Sequence, residues 1–231
     1  HRMLQVATPA GEERIDVSHV LFGIGREAVT DGLALERAGV ACSHHGVKTN
    51  NRLQTTNPRV YAAGDCCLRA KFTHTADASA RIAVRNALFF GREKSSRMII
   101  ARCTYTSPEV ASVGDTRSGA GVSTLRVPLA DVDRAVLDGA EQGWLKLFHQ
   151  TGSGRILGAV LVADHAGDMI SIITATMKSG GTLKDLSDTI FPYPTTAEIV
   201  RKAGDAHQLE GLSPFMRRMA RLAIRLVRIT S

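Results

Sequence analysis

The sequence predicts two fold classes in succession: an α/β portion, then an α+β domain built on an antiparallel sheet. Three observations carry this. The nearly continuous apolar run Val20-Leu21-Phe22-Gly23-Ile24 reads as a strand buried on both faces, as in parallel sheets. The segment Val60-Tyr61-Ala62-Ala63-Gly64-Asp65 reads as a short small-residue strand ending in a carboxylate, the place where open α/β sheets meet ligands. Beyond residue 98 the strands come first and the helices follow, which is the α+β order.

In chain order, Met3–Ala7 and Arg14–Val17 read as strands of a β-meander around the turn Pro9-Ala10-Gly11, with Val20–Ile24 next and Gly25-Arg26 closing it. Asp31 to Val40 reads as a short helical turn stopped by Gly39. Thr75 to Phe90 is a helix: Ala76, Ala80, Ala83, Val84, Ala87 and Leu88 keep helical spacing and Gly91 ends it. Mixed charges over 92–96 mark a domain boundary. Four strands follow, Cys103–Thr106, Ser123–Val127, Gly143–Phe148 and Arg155–Val162, with a hairpin turn at Thr151-Gly152-Ser153-Gly154. Helices are expected over 166–179 and 195–207.

Composition narrows the function classes. Of the net charge of +7, Arg217, Arg218, Arg221, Arg225 and Arg228 supply five units in the last 18 residues, so basicity belongs to a tail and not to a nucleic-acid groove. No apolar run approaches the roughly 18 residues that cross a bilayer, and the first residues lack a signal-peptide core. Four cysteines form no disulfide framework, which makes a reducing cytoplasm the expected location. In the tail, Phe215, Met219, Leu222, Leu226 and Ile229 share one helical face after Ser213-Pro214. Such a basic amphipathic helix suits either an anionic membrane surface or docking on its own dimer.

The chemistry starts at Thr55–Asp65. Small residues at 62–64 let a ligand approach the backbone, and the Asp65 carboxylate can accept hydrogen bonds from sugar or ribityl hydroxyls. The pattern T-x(4)-V-Y-A-x-G-D resembles the second FAD-binding motif of the class I pyridine nucleotide-disulfide oxidoreductases, the two-dinucleotide flavin reductases. Val20–Arg26 resembles the strand returning from their NAD(P)H domain, although Ala28-Val29-Thr30 stands where Pro-Asn-Thr is usual. Lys71–Ala78 resembles the start of the helix beside the isoalloxazine, where helix N-terminal amides favour an anionic flavin edge. Thr104–Gly114 resembles the first strand of the dimerisation domain. Asp164–Ile170 resembles a helix start in that domain, with Asp168 in place of glutamate. Phe191-Pro192-Tyr193-Pro194-Thr195-Thr196-Ala197-Glu198 resembles the family's His-Pro-Thr-x-x-Glu segment, in its mercuric-reductase-like form with tyrosine for histidine.

What the resemblance implies is specific. Gly64, Asp65, His74, Thr75 and Ala76 would bind FAD, and Tyr193 and Glu198 would act in the partner subunit's active site of a homodimer. Hydride would pass from NAD(P)H through FAD to a small-molecule acceptor of disulfide type or to a metal ion. A phenol titrating at roughly 10 cannot serve as a base as imidazole does; it can donate a hydrogen bond or steer a metal ion. No nucleic-acid partner and no resident metal is implied. Residues 1–45 would end the NAD(P)H-binding domain, 46–92 would end the FAD-binding domain, 98–213 would form the dimerisation domain, and 214–231 the basic helix.

The sequence lacks both G-x-G-x-x-G motifs and the Cys-x(4)-Cys redox pair of the family. No cysteine follows Cys103, unlike mercuric reductases, which end in a vicinal pair. The expectation is therefore the C-terminal half of a longer reductase, inactive alone. The contrasting reading is a non-catalytic dimerisation or membrane-anchoring module from a truncated gene. Cys66-Cys67 reads as ordinary loop residues without a redox role, and His44-His45 and His165 as solvated loop residues without zinc-site spacing.

Overall fold

The computed structural model describes residues 2–211 together with Arg218 and Met219. The helix expected over 214–231 otherwise lies outside the described residues. The chain divides into two compact units, His1–Met98 and Ile99–Ser231.

In the first unit, β1 (Arg2–Thr8) and β2 (Gly11–Val17) form the expected antiparallel hairpin, in register from Arg2↔Val17 to Thr8↔Gly11. The strand expected at Val20–Ile24 does not form. Leu21, Phe22 and Ile24 are 97%, 76% and 91% exposed, because the described residues supply no neighbouring strands to cover either face. A 3₁₀ turn at Leu35–Ala38 ends at Gly39, whose φ is 67°, as expected of a glycine stop. A small hairpin, β3 (Cys42–Ser43) and β4 (Gly46–Val47), comes next.

The strand expected at Val60–Ala63 reduces to a single bridge, Gln54↔Tyr61. Asp65 therefore sits in a 3₁₀ turn, Gly64–Cys66, and not at a strand end. Helix α1 spans Thr73–Leu88 and buries Thr75, Ser79, Ile82, Ala83 and Asn86. Buried Asn86 has its amide satisfied on both sides: Nδ2 donates to the carbonyls of Arg52 (3.0 Å) and Glu93 (2.9 Å), and Oδ1 accepts from the Glu93 amide (3.0 Å). That pins the charged segment after α1 back onto its own unit, and no buried polar atom of the amide is left unpaired.

The second unit holds a five-stranded antiparallel sheet in the order β5-β6-β9-β8-β7, with β5 Ala101–Thr104, β6 Glu109–Gly114, β7 Val122–Pro128, β8 Trp144–Gln150 and β9 Ile156–Ala163. The β8–β9 hairpin turns where expected, whereas the single strand expected over Thr104–Gly114 is divided between the end of β5 and β6. Alternation decides the core. Ala111, Val113, Leu125, Val127, Leu145, Leu147, Ala159 and Leu161 are buried. They form one cluster with Met169, Ile170 and Ile173 of α3 (Ala166–Lys178) and Leu183 and Leu186 of α4 (Leu183–Asp188). Ile199, Val200 and Ala203 of α5 (Glu198–Glu210) complete it, each large apolar side chain contributing about 1.5–3 kcal/mol by burial. Residues of the opposite phase pair on the other face, where the Arg126 guanidinium lies 5.1 Å from the Trp144 ring centroid.

Two sites set the position of α5. A capping box on Thr182 and Asp185 starts α4. Gly204 then lets α5 lie against it, since a Cβ there would stand 2.6 Å from the Leu183 carbonyl oxygen and 2.5 Å from the Ser187 nitrogen. A short helix α2, Asp133–Leu137, lies between β7 and β8.

Candidate functional sites in the two units

In the first unit the residues expected to hold FAD do come together. Gly64 is buried with φ 74°, a conformation open to glycine and strained for other residues. A Cβ on Gly64 would stand 2.9 Å from Ala76 Cβ, so the turn presses directly against α1. Ser79 ties the two: its Oγ accepts from the Gly64 amide (2.9 Å) and donates to the Ala76 carbonyl (2.9 Å).

Asp65 is held by its backbone and by one carboxylate oxygen. Lys71 Nζ donates to the Asp65 carbonyl, and Arg26 Nη1 lies 3.7 Å from Asp65 Oδ2 while donating to the Lys71 carbonyl at 2.7 Å. The other oxygen, Oδ1, is buried and has no hydrogen-bond partner. Thr75 Oγ1, in the first turn of α1, is likewise buried and unpartnered. Burying such atoms without partners costs about 1–3 kcal/mol each, so a ligand bringing hydroxyl donors would recover that cost. The start of α1 has no side-chain cap and no acid in its first turn, which leaves its positive dipole end uncompensated. His74 lies in that turn, its ring stacked 5.2 Å from that of Phe72. The orphaned oxygens, the glycine cradle and the uncapped helix fit a flavin dinucleotide.

In the second unit, Tyr193 and Glu198 lie on either side of the turn into α5. Tyr193 is 69% exposed, and its hydroxyl donates to Asp133 Oδ2 at 3.1 Å, across 60 positions of sequence. Hydrogen bonding to Asp133 and its negative charge push the phenol above its ordinary pKa, with burial and the charge of Glu198 adding to the effect. Tyr193 is therefore a donor, never a base, near neutral pH. Glu198 is 6% exposed and accepts from Arg201 Nη2 at 2.9 Å. Arg201 Nη1 donates to Asp205 Oδ2 at 2.7 Å, and Ser187 Oγ donates to the other Asp205 oxygen. Each of the two expected residues thus has its own partner. Arg201 was legible as the i+3 cation on the same helix face; Asp133 had no sequence signal.

Residues 100–204 match the pyridine nucleotide-disulphide oxidoreductase dimerisation domain, and residues 2–80 match pyridine nucleotide-disulphide oxidoreductase. The chain belongs to that family. Among its relatives, a mercuric reductase of Streptomyces lividans is 35% identical over 201 residues, covering 84% of this chain and 42% of the relative. A dihydrolipoyl dehydrogenase of Thermus scotoductus is 32% identical over 212 residues, 89% of this chain and 46% of the relative. Among solved structures, the HOCl-induced flavoprotein disulfide reductase RclA from Escherichia coli is similar with a TM-score of 0.79 and 26% identity, over 89% of this chain and 48% of that one. The chain thus spans less than half the length of these proteins. Family members are FAD-dependent and take electrons from NAD(P)H. No helix among the described residues is long and apolar enough to cross a membrane.

Proposed function

We propose that this chain supplies one side of the FAD site and the dimerisation domain of an NAD(P)H-dependent flavoprotein oxidoreductase that works as a homodimer. The buried, unpartnered Asp65 Oδ1 carries the first half of this reading. It would accept a hydrogen bond from a ribityl hydroxyl, while Gly64 keeps the turn close enough to α1 for Thr75, Ala76 and His74 to line the same site. When bound, FAD supplies the two-electron chemistry between NAD(P)H and a disulfide- or metal-type acceptor. Residues 1–45 would end the NAD(P)H-binding domain, 46–92 the FAD-binding domain, and 98–213 would form the dimerisation domain.

Tyr193 and Glu198 would face the partner's active site. The phenol, kept protonated by Asp133, would swing its single O–H from Asp133 to the acceptor, and Glu198, fixed by Arg201, sets the local negative charge. This chemistry differs from that of an imidazole base, because no proton is abstracted at neutral pH. The test is FAD titration of the flavoprotein carrying this sequence, followed by flavin fluorescence. Loss of one charge-assisted hydrogen bond is worth about 1.5–3 kcal/mol, so Asp65→Ala should weaken FAD roughly tenfold to a hundredfold. Equal affinity in wild type and Asp65→Ala would overturn the assignment.

A further inference from the structure

Directly after Asp65, the 3₁₀ turn carries two successive cysteines, neither in a disulfide. The Cys66 thiol donates to the Ala63 carbonyl at 3.2 Å and the Cys67 thiol to the Gly64 carbonyl at 3.6 Å. Two thiols adjacent in the chain thus reach back to two adjacent carbonyls of one short turn, which places both sulfurs at the same turn. Both are half-buried, hence reachable from solvent. We propose that Cys66 and Cys67 form a bidentate site for trivalent arsenic, as arsenite or an organic arsenoxide.

The surroundings select this ligand over other thiophiles. Burial, then the charge and hydrogen bond of Cys66, push the Cys67 thiol up to about 12, against the opposing pull of Lys71. Cys67 is therefore a neutral thiol at neutral pH. Ions such as Zn²⁺ need thiolates, so they must expel two protons, and they want four ligands. Among the described residues no group of three His, Cys, Asp or Glu side chains could hold a metal ion. Oxidation and disulfide exchange also run through thiolate, which Cys67 lacks.

Trivalent arsenic avoids both obstacles, since it is satisfied by three ligands and carries its own proton acceptors. For arsenite, two As–O and two S–H bonds break, two As–S bonds form, and each departing hydroxide takes a thiol proton to leave as water. Arsenic stays trivalent and no net proton is released. An aryl arsenoxide fills its third position with carbon, so two sulfurs complete it. The site stands independently of the flavin proposal.

The probe is phenylarsine oxide, added to the wild-type chain and followed by intact mass and by mapping of the tryptic peptide from Val60 to Arg69, which holds both cysteines. One arsenic per chain, bridging that peptide and released by ethanedithiol but not by a monothiol, is expected. Cys66→Ser and Cys67→Ser should each weaken binding about a hundredfold or more, because the second bond to arsenic is no longer intramolecular. Cys42→Ser and Cys103→Ser should leave it unchanged. With no net proton released, affinity should change by less than about twofold from roughly pH 6.5 to 8. Adducts mapping to Cys42 or Cys103, serine variants that bind like wild type, or affinity rising steeply with pH would each overturn the proposal. The peptide map of the wild type decides the case even where a serine variant fails to fold.

Discussion

Replacing Gly64 by alanine tests the geometry that delivers Asp65 to its position. Two separate costs follow from the structure. At φ 74° an alanine occupies the left-handed region, which costs about 1–2 kcal/mol. Its Cβ also meets Ala76 Cβ at 2.9 Å, an overpacking that costs about 1–3 kcal/mol. Together they predict a loss of about 2–5 kcal/mol in the first unit. Ala76→Gly removes the opposing methyl but weakens the helix by roughly 0.5–1 kcal/mol. The double variant should therefore recover the steric part and leave the backbone part, giving a coupling of about 1–3 kcal/mol in the mutant cycle. Urea dependence of amide hydrogen exchange within α1 reads this unit directly. A loss below about 1 kcal/mol for Gly64→Ala, or additivity within about 0.5 kcal/mol, would refute the tight seating of the turn on the helix.

Three other outcomes are expected. In an ultraviolet titration of the three tyrosines, the Tyr193 phenol should ionise above the ordinary range, and Asp133→Asn should bring it down; an unchanged titration in Asp133→Asn would remove Asp133 as the cause. Glu198→Ala leaves Arg201 with only Asp205 and should cost about 1–2 kcal/mol in chemical denaturation, the lower part of the usual range because Arg201 is one-third exposed. His149 is 3% exposed, 4.7 Å from the His207 ring, and its Nε2 has no partner. Burial, the largest influence, lowers its pKa, so the unfolded chain binds the proton more readily. Its contribution to stability is whole above roughly pH 6.5, where the unfolded imidazole is neutral, and is lost as pH falls toward the lowered folded value. His149→Phe should flatten the fall in stability of wild type across that window; parallel curves would contradict it.

Much of this architecture was written in local pattern. Helix α1 was legible from its alanine spacing within two residues at each end, because a buried stripe and a following glycine are sequence signals. The strands from β7 to β9 showed themselves by alternation, which one buried face imposes. The apolar run Val20–Ile24 misled because its strand character depends on neighbours, and none among the described residues pairs with it. Helix α4, at six residues, is too short to show a helical period, although its Thr182 to Asp185 capping box is a short-range signal. At the sites, the Gly64-Asp65 motif named the right residues, but only the fold shows that one Asp65 oxygen is tied near Arg26 and the other is unpartnered. The bond from Tyr193 to Asp133 joins the segment before α5 to the first residue of α2, and no periodicity reaches that far.

The most direct measurement is a structure of the FAD-bound protein. Asp65 Oδ1 should lie about 2.5–3.0 Å from a ribityl hydroxyl, with the Gly64 turn still seated on Ala76. A flavin bound elsewhere, or Asp65 Oδ1 facing away with no hydroxyl in reach, would contradict the FAD-site assignment.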